Sequence, residues 1–127
     1  MSTTLKPLKA EGPKAILTEL VAVEGIHTAV VVGRDGFVID GASSKGSLDT
    51  EAIGAVISTG IGSASVMGGE LKLGEMTQSM FEYQDGIIVM SLASAEAILA
   101  VVADIKANLG NIRYQVKKRL PELGKVL

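Results

Sequence analysis

The stretch IHTAVVVGRDGFVIDG, residues 26–41, decides the fold because it encodes two strands joined by a tight turn. Asp-Gly between apolar, β-branched runs is a strong hairpin signal, since glycine accepts the positive φ that a tight turn needs. The first run, residues 26–33, is largely apolar on both of its alternating faces. Such a strand needs cover on both sides, so the sheet should lie between two layers of helices.

The same signal returns further along the chain, where QDG separates EMTQSMFEY at 75–83 from IIVMSLA at 87–93. Like the run at 26–33, IIVMSLA is apolar on both faces. A third strand of this kind, AILAVVA at 97–103, follows after a short link. Helices are predicted at about 13–23, at about 49–71 with Asp49 or Ser47 as its cap, and after residues 104–108, where Pro121 should disturb the end. The predicted fold class is α/β (α+β): a three-layer αβα sandwich with a five-stranded antiparallel sheet and the order α-β-β-α-β-β-β-α.

Composition excludes several classes of protein. The 127 residues, 47% of them hydrophobic, fit a tail at 1–12 followed by one domain at 13–127. The absence of cysteine excludes disulfides and a thiol nucleophile, and a net charge of −2 gives no general attraction to nucleic acid. The polar N-terminus does not read as a secretory signal, so we expect a cytoplasmic protein.

The stretch AIGAVISTGIGSASVMGG, residues 52–69, carries no charge across eighteen residues. A membrane span is disfavoured because half of the window is Gly, Ser or Thr. A phosphate-binding loop is disfavoured for GIGSAS, which follows no strand, and for GASSKGS at 41–47, whose lysine precedes the second glycine. An amphipathic helix remains, with a predicted core stripe and an opposite stripe of small residues. The core stripe is Ile53, Val56, Ile57, Gly60, Ala64, Met67 and Leu71; the opposite stripe is Ala55, Thr59, Gly62, Ser63, Val66 and Gly69.

The second stripe lacks the charged residues that a solvent-facing helix normally carries, and its glycines weaken the helix. Small residues allow another backbone to approach closely, and a two-fold axis makes such a stripe complementary to itself. We therefore predict a homodimer with this helix at the interface. The alternative is a helix enclosed within one monomer.

Few residues are candidates for chemistry. His27 is the only histidine, and we favour a packing or surface role for it because a site needs converging partners. Arg34 lies in the first predicted turn, where an arginine could reach the phosphates of a bound GTPase; we favour a solvated turn residue, because nothing else in the turn supports phosphate contact. The cations Arg113, Lys117, Lys118 and Arg119 are explained either by the dipole at the end of the last helix or by an acidic partner or lipid; we favour the dipole. Glu70, Glu75, Glu82 and Asp85 do not have the spacing of metal ligands. We predict no catalytic, metal-binding or cofactor-binding residues.

Residues 13–123 resemble the Roadblock / dynein-light-chain domain family, and the prokaryotic stand-alone type in particular. The resemblance is carried by VEGIHTAVVVGRDGFVIDG, by GGELKLGEMTQSMFEY, by QDGIIVMSLASAEAILAVVADIKANLG and by NIRYQVKKRLPEL. It implies dimers that pair through the second helix and the third strand, residues 76–83, so that the two sheets can join at that edge. The interface would then comprise Ala55, Thr59, Gly62, Ser63, Val66, Gly69, Thr77, Ser79 and Phe81.

The resemblance also implies a function. Members of the family are non-enzymatic platforms for small Ras-like GTPases, adaptors on motors, or scaffold subunits. The expected function is a homodimeric regulator or scaffold of a small Ras-like GTPase, with a GTPase-activating role open for the prokaryotic type and Arg34 as the candidate contact. The alternative is a structural adaptor in a larger motor or membrane-associated assembly, without effect on GTP hydrolysis. Hydrolysis by the chain itself is disfavoured because no nucleophile motif is present.

Overall fold

A computed structural model of the chain describes residues 12–46 and 49–127. The predicted tail, apart from Gly12, and the candidate cap Ser47 lie outside the described residues. The element order is the predicted one. Its members are α1 Pro13–Val21, β1 Ile26–Gly33, β2 Val38–Ser43, α2 Thr50–Glu70, β3 Gln78–Tyr83, β4 Gly86–Ser94, β5 Ala97–Ala103 and α3 Leu109–Lys125.

The five strands form one antiparallel sheet with the spatial order β2-β1-β5-β4-β3. The strands predicted to be apolar on both faces, β1, β5 and β4, therefore occupy the centre, whereas β2 and β3 form the edges. Register places Ser79 opposite Met90, Met90 opposite Ala100, and Ala100 opposite Val30. Residues opposite one another share a face of the sheet, so this row identifies one face from β3 across to β1.

Each face of the sheet has its own core, as the doubly apolar strands require. On one face, α1 and α3 cover Val31 and Leu99 with Leu17, Leu20, Ile112, Val116 and Leu123. On the other face, α2 packs Ile57 and Ile61 against Val30, Val32, Met90 and Ile98. Adjacent residues of β1 thus enter different cores, which confirms the predicted three-layer αβα sandwich.

Side-chain caps fix where two of the helices begin. The Asp49 carboxylate accepts a hydrogen bond from the backbone N–H of Ala52 at 3.1 Å, and the Asn108 side chain accepts one from Asn111 at 3.0 Å. Each bond satisfies a backbone donor that the helix itself leaves unpaired. The predicted cap at Asp49 is confirmed.

The prediction that Pro121 disturbs the end of the last helix is wrong. Helix α3 continues through Pro121 to Lys125, and Leu123 beyond the proline is fully buried. A proline inside a helix removes one backbone hydrogen bond and crowds the preceding turn. We attribute the continuation to Leu123, whose burial in the core of the α1/α3 face favours another helical turn.

The backbone of α2 lies directly against the β1–β2 turn. Gly36 in that turn has a φ of 93°, as the Asp-Gly signal predicts. A Cβ atom placed on Gly54 of α2 would lie 2.1 Å from the Gly36 carbonyl oxygen. Glycine is therefore needed at position 54, because a side chain there would force α2 away from the β1–β2 turn.

We predict that Gly54→Ala lowers the free energy of unfolding by about 1–3 kcal/mol, the usual cost of inserting volume into packed structure. Gly110→Ala is the matched control, because a Cβ on that helical glycine meets its nearest atom at an ordinary 3.5 Å. The control should change stability by less than about 1 kcal/mol, because Gly110 is the second residue of α3 and the full gain from helix propensity applies in the middle of a helix. Urea unfolding followed by circular dichroism measures both, and equal stability of the two variants would contradict the close approach.

Candidate interaction surface

Helix α2 faces the sheet through a narrow line of residues. Gly54, Ile57, Ile61 and Ala64 are buried, three or four residues apart as one face of a helix requires. The predicted core stripe is confirmed for Ile57 and Ala64, and it includes the partly buried Ile53 and Gly60. The predicted stripe did not include Gly54 and Ile61, which are also buried on the side of α2 that faces the sheet.

Three members of the predicted core stripe are exposed, so the prediction is wrong for them. Val56 is 63% exposed and Met67 59%, because both lie on the flank of α2 and not on its sheet-facing line. Leu71 is exposed because it follows the last residue of the helix. A helical wheel recovers the angular order of residues but not how narrow the contact with a sheet is.

The stripe of small residues predicted at the interface lies on the outer side of α2. Ala55, Thr59, Gly62, Ser63, Val66 and Gly69 are all exposed, and Val66 reaches 64%. The Thr59 hydroxyl donates to the Ala55 carbonyl at 2.8 Å, so part of the polarity of the stripe is satisfied within the helix. The outer face of α2 is thus exposed and uncharged between Glu51 and Glu70.

Strand β3 continues this surface at the edge of the sheet. Ser79 and Phe81 pair with Met90 and Ile88, which pack on the α2 side, and so they lie on the same face as α2. Between α2 and β3 is a cleft of about 470 Å³ lined by Gly60, Ser63, Ala64, Met67, Ser79, Met80 and Phe81. Thr77 lies exposed just before the strand. We call the outer face of α2 together with β3 the α2–β3 surface.

The predicted interface residues do not all line this cleft. Ala55 and Thr59 line a second cleft of about 560 Å³ on the other flank of α2, beside Phe37 and Val38 of the first hairpin. Apolar side chains that sequence reasoning did not assign to the interface add to the exposed area, namely Phe37, Val56, Met67, Leu71, Leu73, Met80 and Tyr83. Alternation along β3 could have identified Tyr83, which is four residues from Ser79. Clustering of exposed apolar residues of this kind is typical of protein–protein contact sites.

Arg34 is held by the loop that connects β4 to β5. Its Nε donates to the Ala95 carbonyl oxygen at 2.8 Å, and a guanidinium nitrogen lies 3.9 Å from a carboxylate oxygen of Glu75. The backbone N–H of Arg34 also donates to the Glu96 carbonyl oxygen at 3.1 Å. The side chain has a structural role in joining two turns.

The remaining candidates for chemistry are dispersed. His27 is half-buried, with Nε2 at 4.0 Å from a carboxylate oxygen of Asp104 and Nδ1 at 3.3 Å from the Thr28 hydroxyl. Glu70, Glu82 and Asp85 are exposed on separate parts of α2, β3 and the following turn. Within residues 12–46 and 49–127, no three His, Cys, Asp or Glu side chains come together as metal ligands would.

The helix dipole does not account for the basic cluster, contrary to our sequence-based preference. Because α3 extends to Lys125, Arg113 lies only four residues after its first residue, and Lys117 and Lys118 lie at its middle. The dipole acts within the first and last turns, and it is unfavourable to cations at the N-terminal end. Arg119 has a different role, since its Nε lies 3.4 Å from a carboxylate oxygen of Glu19 on α1.

Helix α2 is also long and apolar enough to cross a membrane when length and composition alone are considered. Length and composition alone do not identify a membrane span, because helices of soluble proteins can have both properties. Only 17% of the residues in the apolar window are buried in the described structure. The apolar character of α2 therefore faces outward and needs an explanation outside the monomer core.

Comparison with known proteins identifies relatives along most of the chain. The family model of the Roadblock/LC7 domain matches residues 14–103. The uncharacterized protein MJ0310 of Methanocaldococcus jannaschii is 40% identical over 103 residues, which are 81% of this chain and 89% of that protein. The uncharacterized protein MJ0714 of the same organism is 37% identical over 103 residues, covering 81% of this chain and 86% of the relative.

Solved structures share the fold. Myxococcus xanthus MglB superposes with a TM-score of 0.84 at 19% identity, covering 90% of this chain and 93% of that one. The gliding protein MglB of Thermus thermophilus superposes with a TM-score of 0.84 at 17% identity, covering 98% and 95%. MglC of Myxococcus xanthus gives a TM-score of 0.64 at 25% identity, covering 89% and 97%.

Proposed function

The chain belongs to the Roadblock/LC7 domain family, and from this membership we propose that it is a non-enzymatic, homodimeric platform that binds and regulates a small Ras-like GTPase in the cytoplasm. The observation that carries the proposal is the exposed, uncharged outer face of α2. A surface of this kind favours contact with another protein over contact with water.

The glycines of α2 fall into two groups, those with close neighbours in the same chain and those without. A Cβ atom added at Gly54, Gly60 or Gly68 would lie 2.1, 3.3 or 2.9 Å, respectively, from its nearest neighbour in the same chain. A Cβ on Gly62 or Gly69 would meet nothing within 4 Å. The described residues therefore give no reason for glycine at these two outer positions, whereas the close approach of a second helix does.

A second copy of the same chain is the partner that fits this helix best. A two-fold axis would lay the small-residue stripe, Ala55, Thr59, Gly62, Ser63, Val66 and Gly69, against its own copy. The same axis would bring the edge strand β3, with Thr77, Ser79 and Phe81, beside its counterpart and satisfy its free backbone groups. MglB, a neighbour in fold, has been described in a tetrameric arrangement, so self-association occurs on this architecture.

The Ras-like GTPase is the partner that the family resemblance implies, and the GTPase-activating role is the finer part of the proposal. Arg34 is the candidate contact. A stimulatory arginine must place its guanidinium at the transferred phosphoryl group. Arg34 would first have to release the Ala95 carbonyl and Glu75. These contacts disfavour Arg34 as an arginine finger. The second candidate function is an adaptor that holds its partner without changing GTP hydrolysis, and it needs no such finger.

We predict that the wild-type chain is a dimer at micromolar concentration and that Val66→Lys raises the dimer dissociation constant at least about tenfold, because two unpaired charges would be brought into the interface. Sedimentation velocity over a dilution series measures this. Ile105→Lys is the control, because Ile105 is an exposed apolar residue outside α2 and β3. A monomeric wild-type chain, or equal effects of the two substitutions, would exclude the proposed interface.

We predict that Arg34→Ala changes GTP hydrolysis by the co-purifying Ras-like GTPase far less than the factor of about 10³–10⁵ that an arginine finger contributes. The physical reason is the existing hydrogen bond from Arg34 to Ala95. Single-turnover hydrolysis is measured with the GTPase alone, with wild-type protein and with the variant. Stimulation by the wild type that disappears in the variant would establish the finger; binding of the GTP-loaded form without stimulation would identify the adaptor. Failure to bind any GTP-loaded partner would reject the platform itself.

A further inference from the structure

A cleft of about 730 Å³ lies on the side of the sheet opposite α2. It opens between α3 and the strands β3 and β4, and we call it the α3 cleft. Its lining residues are Thr77, Gln78, Ser91, Gly110, Arg113, Tyr114, Lys117 and Leu120. The volume lies within the range of about 300–1,000 Å³ that is typical of small-molecule sites.

A chain of hydrogen bonds crosses the α3 cleft from helix to sheet. Arg113 Nε donates to Gln78 Oε1 at 3.1 Å, and Gln78 Nε2 donates to the Ser91 hydroxyl oxygen at 3.4 Å. Ser91 is only 1% exposed, and it is one of two buried polar side chains in the described structure. Its hydroxyl oxygen accepts from Gln78, and the hydroxyl retains one hydrogen that it can donate.

Two cations at the cleft have no acidic partner in the part of the chain that the structure describes. Arg113 and Lys117 are four residues apart and hence neighbours on one side of α3. Among the described residues, no carboxylate lies within 4.0 Å of either, whereas Arg119 is paired with Glu19 and Arg34 with Glu75. The dipole of α3 does not explain them either, given their positions in the helix. Within residues 12–46 and 49–127, no neighbouring charge therefore neutralises these two cations.

The free groups of the α3 cleft are mainly donors. The terminal nitrogens of the Arg113 guanidinium and the Lys117 ammonium can only donate, and the hydroxyls of Ser91 and Tyr114 can each donate one hydrogen. The side-chain amide of Gln78 is already engaged through both its oxygen and its nitrogen. An array of two cations and two hydroxyls is complementary to a group with several anionic oxygens, as a phosphoryl group has.

We propose that the α3 cleft binds the phosphoryl group of a small, soluble phosphorylated molecule. Arg113 and Lys117 contact the phosphoryl oxygens, Ser91 donates to the group from the floor of the cleft, and Tyr114 packs beside the remainder of the ligand. The site lies on the other face of the sheet from α2 and shares only Thr77 with the proposed dimer interface. The contacts that carry the proposal, from Arg113, Lys117 and Ser91, come from one chain and require no GTPase.

Inorganic pyrophosphate is the probe, titrated into the full chain by calorimetry and by ¹⁵N-resolved NMR at about 0.15 M salt, where weak surface attraction is screened. We expect saturable binding, with amide shifts concentrated at Ser91, Gly110 and Gln78. Lys117→Gln and Arg113→Gln should each weaken binding about tenfold or more, the usual effect of losing a charge-assisted hydrogen bond.

Lys118→Gln is the matched control, because it removes the same charge from the adjacent, exposed position of α3 that does not line the cleft. It should leave the affinity within about twofold, as for an ordinary surface charge. Circular dichroism and sedimentation confirm that each variant keeps its fold and oligomeric state. Absent saturation, or equal weakening by Lys117→Gln and Lys118→Gln, would overturn the proposal.

A second arm distinguishes a soluble ligand from a lipid headgroup. Vesicles of phosphatidylcholine with and without phosphatidic acid are co-sedimented with wild-type protein and with Lys117→Gln. We expect no binding to either kind of vesicle that depends on Lys117. Binding to phosphatidic acid through Lys117, without binding to pyrophosphate, would overturn the assignment to a soluble molecule.

Discussion

The close approach of the α2 backbone to its neighbours is the constraint on which the rest of the structure depends. Gly54 allows α2 to lie against the Gly36 carbonyl, and Gly68 lies against the Gly74 carbonyl where the chain leaves the helix. A helix packed at this distance needs only a narrow line of side chains, including Ile57 and Ile61, to cover its side of the sheet. Most of its circumference is consequently left outside the core, and the composition of that remainder decides what the protein can bind.

The pattern of apolar residues is sufficient to predict the layers of the fold. Strands β1 and β5 match the predicted ranges, because they are buried on both faces and their apolar runs end at turns or links that the sequence marks. The sequence is less informative at Pro121, where a local preference against helix is overcome by burial of Leu123. It is also less informative for Val56 and Met67, because hydrophobic periodicity gives the direction of a helix face but not its width.

The interaction surface can be predicted from the absence of charged residues in one stretch of the sequence. Absence of charge across residues 52–69 identifies the outer face of α2, and the structure leaves that face exposed. The α3 cleft cannot be found in the same way, since Gln78, Ser91 and Arg113 come from three elements and adopt their hydrogen bonds only after the sheet is assembled. The sequence indicates this cleft only through the basic cluster on α3. The helix dipole would explain that cluster only if the helix ended near Pro121, because the cations would then lie at its C-terminal end.

The two faces of the sheet carry surfaces of opposite character, and the difference has a physical consequence for regulation. The α2–β3 surface is apolar and uncharged along α2, so contacts made there depend on area and fit and respond weakly to ionic strength. The α3 cleft is cationic and rich in donors, so its occupancy depends on the concentration of an anion. Thr77 and Gln78 belong to the cleft and also adjoin or begin β3, the edge at which a second copy is proposed to pair. An anion held by Arg113 beside Gln78 would therefore lie next to the edge at which a second copy is proposed to pair, so Thr77 and Gln78 are the residues at which the two sites meet.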